Sequence, residues 1–134
     1  MSKEHIALVE RYIAAMNAHD YDTVVSLLTP DHLFHGVARD QHGAESFRQV
    51  ITGYHRVFPD QRMTVEHIFA GDEFVGARVR HQGTHEGEGW PVPPTGRRAE
   101  FPVHLHVRVE DGKLAEVWEQ WDRAAVREQL TATE

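Results

Sequence analysis

Apolar residues recur at two different spacings along the chain, and the spacing changes at Pro59. Before Pro59 they return every three or four positions in three segments, which predicts three amphipathic helices. After it they alternate with polar residues, which predicts strands, and a last short helix is expected from Arg123. Helices followed by strands favour an α+β fold in which helices pack on one face of a curved antiparallel sheet of four or more strands.

Capping and breaking residues predict the bounds of the helices. Ser2 should cap a first helix that ends between Asn17 and Asp20. Asp22 can cap a second helix, which Thr29-Pro30 closes because proline disfavours helix in the residue before it. A short strand over 31–35 and a polar connector over 36–43 should precede the third helix, which covers 44–58.

Four further strands are predicted over 62–69, 74–85, 100–110 and 113–121. Strict alternation would place Met63 and Phe69 on the same face of the first of these strands. On the next strand, His81 and His85 should continue the apolar side.

The turn at Asp111-Gly112 admits two registers for the last hairpin. A two-residue loop would pair Glu110 with Lys113, whereas a three-residue loop with a glycine bulge would pair Val109 with Lys113. The second register is favoured because it separates an apolar face from a polar one. The apolar face would carry Val103, Leu105, Val107, Val109, Ala115, Val117 and Trp121. The polar face would carry His104, His106, Arg108, Glu116, Trp118, Gln120 and Asp122.

Trp118 changes the interpretation of that polar face, because a tryptophan is costly to expose in the middle of a wet surface. We therefore expect the face to line a polar cavity beneath the helices. The loop over 86–97 has too much proline and glycine for a central strand or a helix. Its Trp90 would be either a lid over that cavity or an anchor that holds the loop to the domain.

Composition narrows the classes of protein. A length of 134 residues suits one domain, 1–134, and a net charge of −7 argues against a nucleic-acid surface. Without cysteine, the chain has neither disulfides nor thiolate zinc sites. The N-terminal segment lacks the unbroken apolar run of a signal peptide or membrane span, so a cytoplasmic protein with no membrane contact is the default expectation.

The sequence contains few motifs that are typical of a catalytic site. The chain has neither a nucleophile elbow around a serine nor a glycine-rich phosphate loop that opens a helix. His104 and His106 are spaced for metal ligation, but no third ligand motif accompanies them, so satisfied or surface histidines remain the simpler interpretation and no metal site is predicted. Acid/base chemistry by carboxylate and imidazole remains. Asp122 is its first candidate, although it can equally cap the helix that begins at Arg123.

Several motifs in order resemble the SnoaL-like polyketide cyclases of the nuclear transport factor 2-like superfamily. They are FPD at 58–60, GTHEGEGWPVPPTGRR at 83–98 and DGKLAEVWEQWD at 111–122. The resemblance covers nearly the whole chain and implies a cone: a strongly curved antiparallel sheet around a deep pocket that N-terminal helices close. It also implies an intramolecular aldol-type cyclisation without metal or organic cofactor, and a homodimer.

The resemblance also implies site residues. Asp122 falls on the position of the catalytic aspartate, which would take a proton from a carbon between carbonyls. His106, His104 or His85 would stabilise the enolate, and Arg108 could stand at the assisting position if the hairpin lengths differ. A small apolar or aromatic ligand would be bound by His35, Tyr54, Phe58, Trp90, Trp118 and Tyr12.

Other functions remain open on the same fold. The cone is compatible with a hydratase, a dehydratase, an epoxide hydrolase or a hydroxylase. A small-molecule carrier or sensor without catalysis, or a dimeric scaffold, is a further alternative.

Overall fold

One six-stranded sheet organises the chain, in a computed structural model that describes residues 2–37, 39–90 and 92–132. Four helices accompany it within these residues. In chain order the elements are α1 Ser2–Asn17, α2 Tyr21–Ser26, β1 Leu28–His35, β2 Asp40–His42, α3 Ala44–Val57, β3 Arg62–Ala70, β4 Phe74–Thr84, β5 Arg98–Glu110, β6 Lys113–Gln120 and α4 Arg123–Thr131. The predicted α+β class is confirmed.

The strands lie in the order β2-β1-β6-β5-β4-β3. Four of the five pairings are antiparallel, but β1 runs parallel to β6. The sheet is therefore mixed, whereas the sequence pattern predicted an antiparallel one. A parallel pair needs a long crossover, and here α3 with β3, β4 and β5 provides it.

The helices cover one face of the sheet, called the inner face below. On β5, Val103, Leu105 and Val107 are buried there, while the residues between them point to the opposite, outer face. Helix α1 adds Tyr12, whose ring lies 6.1 Å from that of Phe47 on α3. The apolar stripes of α1 and α3 therefore form the core together with the inner face of the sheet.

Helix α2 is capped differently from the prediction. Asp20, not Asp22, accepts the hydrogen bond from the Thr23 backbone amide, at 3.2 Å. Asp20 is the better cap because its side chain also accepts from the Thr23 hydroxyl. The helix ends at Ser26, and β1 already begins at Leu28, two residues before Pro30.

A bulge between Val65 and His67 interrupts the alternation predicted for β3. Beyond it, Phe69 turns to the outer face, where 69% of its surface is exposed, while Met63 stays buried on the inner face. The expectation that Met63 and Phe69 share a face was therefore wrong. The extra residue of a bulge inverts the facing of everything after it.

The last hairpin uses the register that the sequence pattern disfavoured. Glu110 pairs with Lys113 across a two-residue turn in which Asp111 and Gly112 have φ of 53° and 74°. Positive φ at both positions is what a type I′ turn requires. The bulge lies instead at Ala115, since Val109 pairs with Leu114 and Arg108 with Glu116.

That displaced bulge produces the same separation of faces as the predicted one. Val107 faces Val117 on the inner side, and His106 faces Trp118 on the outer side. The helices, however, cover the apolar face and not the polar one. The polar cavity expected beneath the helices on the Trp118 side was therefore a wrong prediction.

Candidate functional site

An open cleft of about 290 Å³ lies between α3, the loop after β1 and the loop over 86–97. Tyr54 and Trp121 form its floor, and Trp90 forms one wall. Polar side chains at its rim come from Gln41, Gln49, Arg39, Arg56 and Arg123. The combination of aromatic walls with a few polar groups is typical of sites for small apolar molecules.

A second, much smaller space continues the cleft into the core. Phe34, Tyr54 and Trp121 line both spaces, so these three side chains separate the open cleft from the inner cavity. The inner cavity has a volume of about 20 Å³, which is enough for about one water molecule. Its polar lining comes from Gln61, His81, Glu119 and the hydroxyl of Tyr54.

Glu119 is the carboxylate of the inner cavity. It pairs with Leu105 in the sheet and therefore faces inward, in a row with Val117 and Trp121. Burial raises the pKa of Glu119 to about 7, although hydrogen bonds from Tyr54 and Trp121 favour the ionised form. The Tyr54 hydroxyl donates to Glu119 Oε2 at 3.3 Å. A carboxyl with a pKa near neutrality can both accept and return a proton.

His81 is the imidazole of the same cavity. Its ring stacks on Phe101, with centroids 4.6 Å apart, and Gln61 Nε2 hydrogen-bonds to His81 Nε2. Burial, followed by the charge of nearby His55, lowers the pKa of His81 to about 4. The ring is therefore neutral at physiological pH. An amide N–H that donates to Nε2 leaves the ring proton on Nδ1, which is buried and has no partner among the described residues.

His55 lies behind this pair, toward the surface. Tyr21 Oη is hydrogen-bonded to His55 Nδ1 at 2.7 Å, and the ring of His19 stacks on that of His55 with centroids 3.7 Å apart. Burial and the nearby His19 lower the pKa of His55 to about 4, against a smaller opposing effect of Gln61. His55 is therefore neutral at physiological pH.

The loop over 86–97 is anchored by backbone contacts with the end of α3. The amides of Glu86 and Gly87 both donate to the Val57 carbonyl, at 3.1 and 3.2 Å. A Cβ on Gly87 would lie 1.6 Å from the Arg56 carbonyl oxygen, so only glycine allows this approach. His85 is buried at the base of the loop, where its Nδ1 lies 3.2 Å from Thr95 Oγ1.

Trp90 combines features of both roles that the sequence left open. Its ring packs against Phe58 and Trp121, with centroids 6.3 and 5.8 Å away, and so fixes the loop to the domain. The guanidinium of Arg123 lies 5.3 Å from the ring centroid, within cation–π range. Because Trp90 also lines the cleft, it contributes a wall of the site.

The predicted ligand-binding residues are divided between three places. Tyr54 and Trp90 line the cleft, as expected. Tyr12 and Phe58 are buried in the core, each with 1% of its surface exposed, and neither lines the cleft or the inner cavity. His35 and Trp118 lie on the outer face of the sheet, stacked with ring centroids 5.1 Å apart.

The predicted catalytic histidines lie at two separate places, since His104 and His106 line one groove of the outer face together with Trp118, away from His85. His104 and His106 are exposed on the outer face, where Arg78 donates to His104 Nε2 at 2.9 Å and His106 lies between Phe74 and Trp118. Neither lines the inner cavity, and His85 is held at the base of the loop.

Asp122 follows β6, which ends at Gln120, and is exposed. Its Oδ1 accepts from the backbone amide of Ala125 at 2.9 Å, which makes it the N-cap of α4. The helix-cap alternative is therefore confirmed. Asp122 does not line the cleft, but its neighbour Arg123 does.

Sequence reasoning missed Glu119 and Gln61, and used His81 only as a core residue. A signal for Glu119 was present, because alternation along β6 places it on the apolar side between Val117 and Trp121. A carboxylate at such a position is unusual and indicates a polar group buried for a reason. Gln61 carries no comparable local signal.

The residues that the structure describes contain no group of three or more histidine, aspartate or glutamate side chains placed to hold a metal ion. None of their helices is long and apolar enough to cross a membrane.

The sequence profile of the SnoaL-like polyketide cyclases matches residues 6–130. The chain belongs to this family. No curated protein sequence matches it significantly. Its six-stranded sheet and helices form the nuclear transport factor 2-like cone that the family shares.

Solved structures of SnoaL-like proteins agree. A candidate SnoaL-like polyketide cyclase from Jannaschia sp. CCS1 superposes with a TM-score of 0.89 at 22% identity, over 99% of this chain and 95% of that one. IdmH from Streptomyces antibioticus, a candidate polyketide cyclase, superposes with a TM-score of 0.80 at 28% identity, over 92% of this chain and 96% of that one. AclR from Streptomyces galilaeus, a candidate hydroxylase, superposes with a TM-score of 0.82 at 26% identity, over 95% of this chain and 80% of that one. Proteins with this fold are thus named for different activities, a cyclase in two of these cases and a hydroxylase in the third.

Proposed function

We propose that this SnoaL-like protein is a cofactor-free enzyme of the cyclase or isomerase type, which performs acid/base chemistry on an apolar carbonyl compound. The observation that carries the proposal is Glu119, a carboxyl group with a pKa of about 7 in an aromatic cavity that adjoins an open cleft. In this proposal Glu119 takes the role that the sequence assigned to Asp122.

The proposed reaction follows from the positions of the polar groups. In the proposed complex a ligand lies in the cleft against Trp90 and Trp121. Its reacting end enters the inner cavity only if the side chains that line both spaces, Phe34, Tyr54 and Trp121, move apart. Ionised Glu119 takes a proton from a carbon next to a carbonyl group, and the electron pair forms an enolate. His81 Nδ1–H donates to the enolate oxygen, with Gln61 holding the ring tautomer.

In a cyclisation the enolate carbon then attacks a second carbonyl carbon of the same molecule. The new alkoxide takes back the proton that Glu119 received, so the carboxylate is regenerated without net change. In an isomerisation the same proton returns to a different carbon. The neutrality of His81 suits this role, because a neutral donor stabilises the oxygen without competing for the Glu119 proton.

The test compares Glu119→Gln with Asp122→Asn, two isosteric changes that each remove one carboxylate. Turnover is followed as exchange of the α-protons of enolisable diketones with deuterated solvent. We expect Glu119→Gln to lose about 10²- to 10⁴-fold in rate and Asp122→Asn to stay near wild type. The opposite ranking would restore the sequence-based role of Asp122. Near-wild-type exchange in Glu119→Gln would refute the role proposed for Glu119.

Two further variants test the imidazoles. Replacing His81 by glutamine removes the donor in the inner cavity, whereas His106→Gln removes an exposed imidazole on the outer face. We expect about a 10²-fold loss in rate for the first and no loss for the second. A loss confined to His106→Gln would instead support the histidine roles derived from the sequence.

A second candidate function is supported by the size of the inner cavity. Room for about one water molecule beside Glu119 would suit activation of that water, as in a hydrolase or hydratase. Product formed in ¹⁸O-labelled water distinguishes the two candidates. Label incorporated at the reacting carbon of the product supports the hydrolytic candidate, whereas a cyclised product without it supports the cyclase.

We also propose that the protein forms a homodimer in the cytoplasm, through the outer face. Support comes from the exposed Phe69 and from an apolar groove that it lines with Phe74 and Trp118. Light scattering on the wild type and on Phe69→Ser measures the mass. A dimer that the substitution converts to a monomer supports this interface, and a wild-type monomer contradicts it.

A further inference from the structure

The rim of the cleft carries three arginines and no carboxylate among its described residues. Arg39 comes from the loop after β1, Arg56 from the last turn of α3 and Arg123 from the first turn of α4. Three separate elements therefore bring guanidinium groups to one opening. This arrangement is unexpected in a chain with 21 acidic and 14 basic residues, in which acidic side chains should dominate an average patch.

These arginines also differ from the arginines of the outer face. Arg78, Arg80 and Arg108 each pair there with a glutamate, at 2.9 to 3.2 Å. In the part of the chain that the structure describes, none of the three rim arginines has a carboxylate partner within ion-pair distance. Their positive charge is therefore available to a ligand.

The surroundings of the rim favour a planar anion. Arg123 is held over the face of Trp90, which fixes the guanidinium at the wall of the cleft. A guanidinium matches the geometry of a carboxylate through paired N–H donors. The aromatic floor formed by Tyr54 and Trp121 lies deeper, so an anion at the rim places the apolar remainder of a ligand against these rings.

We propose that the natural ligand carries a carboxylate that the rim arginines Arg39, Arg56 and Arg123 bind, with its apolar carbonyl-bearing end directed inward. The charges also set the orientation, because Glu119 at the inner end repels a carboxylate and the rim attracts it. This carboxylate would bind in the same cleft as the substrate of the proposed function, on which it rests, and it adds the chemical class of that substrate. The rim arginines act in binding and not in catalysis.

The test measures binding of 2-naphthoate and of its uncharged analogue 2-naphthamide by calorimetry, at low and high salt. We expect the wild type to bind the carboxylate about tenfold more tightly at low salt, since a charge-assisted pair is stronger than a neutral one. High salt should reduce this preference because the rim is exposed. Equal binding of the two compounds at low salt would overturn the proposal.

Single variants locate the effect. Arg56→Gln and Arg123→Gln should weaken binding of 2-naphthoate severalfold and leave that of 2-naphthamide unchanged. Arg127→Gln is the matched control, because it makes the same change of charge at an exposed site outside the cleft lining. An equal loss in Arg127→Gln would show that only net charge matters and would contradict the proposal.

Glu119→Gln separates this inference from the proposed function. If Glu119→Gln still prefers 2-naphthoate and turns over as fast as the wild type, the catalytic role of Glu119 is refuted and the carboxylate site is retained. If Glu119→Gln loses turnover while neither the variant nor the wild type prefers 2-naphthoate, the carboxylate site is refuted and the catalytic role of Glu119 is retained.

Discussion

The two faces of the sheet contain the same residue types and give them opposite properties. On the inner face, burial keeps His81 neutral and raises the pKa of Glu119 to about 7. On the outer face, His35 donates to Glu116 Oε2 at 2.6 Å and to Asp40 Oδ1 at 3.1 Å. Burial opposes protonation of His35, but these hydrogen bonds outweigh it and raise its pKa.

The difference comes from the presence or absence of a counter-charge. Glu116 accepts from both His35 and Arg108, and these bonds lower its pKa. Glu119 has uncharged donors, Tyr54 and Trp121, which offset only part of the cost of burying its charge. Each face therefore has a carboxylate and an imidazole, but only the inner carboxylate, Glu119, has a pKa near 7.

The largest effect is expected at Glu119. Because its pKa rises from 4.5 to about 7 on folding, the native state holds the proton more tightly, and stability falls as pH rises through that interval. Glu119→Gln removes this loss and should be more stable than wild type by about 3 kcal/mol above pH 7, with little difference below pH 4.5. Urea unfolding across pH 4–9 measures it. A variant less stable than wild type at pH 8 would contradict the burial argument.

A smaller effect is expected at Asp122. Asp122→Ala leaves the Ala125 amide without its cap and should cost about 1 kcal/mol of unfolding free energy. Asp122→Asn keeps an accepting oxygen and should cost almost nothing. Thermal unfolding of both variants tests this. Equal destabilisation by the two changes would show that the charge, and not the capping hydrogen bond, stabilises the end of α4.

The smallest effect is expected on the outer face, at Glu116. Glu116→Gln should destabilise by about 1 kcal/mol or less, because the pair with His35 is only partly buried. The change in unfolding free energy has the opposite sign to that expected for Glu119→Gln. The contribution is present where Glu116 is ionised and His35 protonated, so it decreases below pH 4.5 and again as pH rises through the raised pKa of His35. A difference that does not vary between pH 4 and 9 would contradict the ion pair.

Much of the fold was predictable because it depends on local periodicity. The stripes of α1 and α3, the strands β4 and β5 and the cap at Asp122 all follow from residues close together in sequence. The bulges in β3 and β6 were not predictable, since an extra residue leaves no mark in the alternation until the partner strand is known. Nor was the pairing of β1 with β6, which lie about eighty residues apart.

The sequence did not predict where the candidate site lies. The sequence determined a SnoaL-like α+β fold, because the order of its motifs and elements suffices for that conclusion, whereas acid/base chemistry by a carboxylate and an imidazole stays a prediction. Only the tertiary structure decided that the helices cover the apolar face, which leaves His104, His106 and Trp118 outside and places Glu119 beside the buried His81 in the lining of the inner cavity. The physical reason is that pKa values depend on desolvation and nearby charge, which are set by residues distant in sequence.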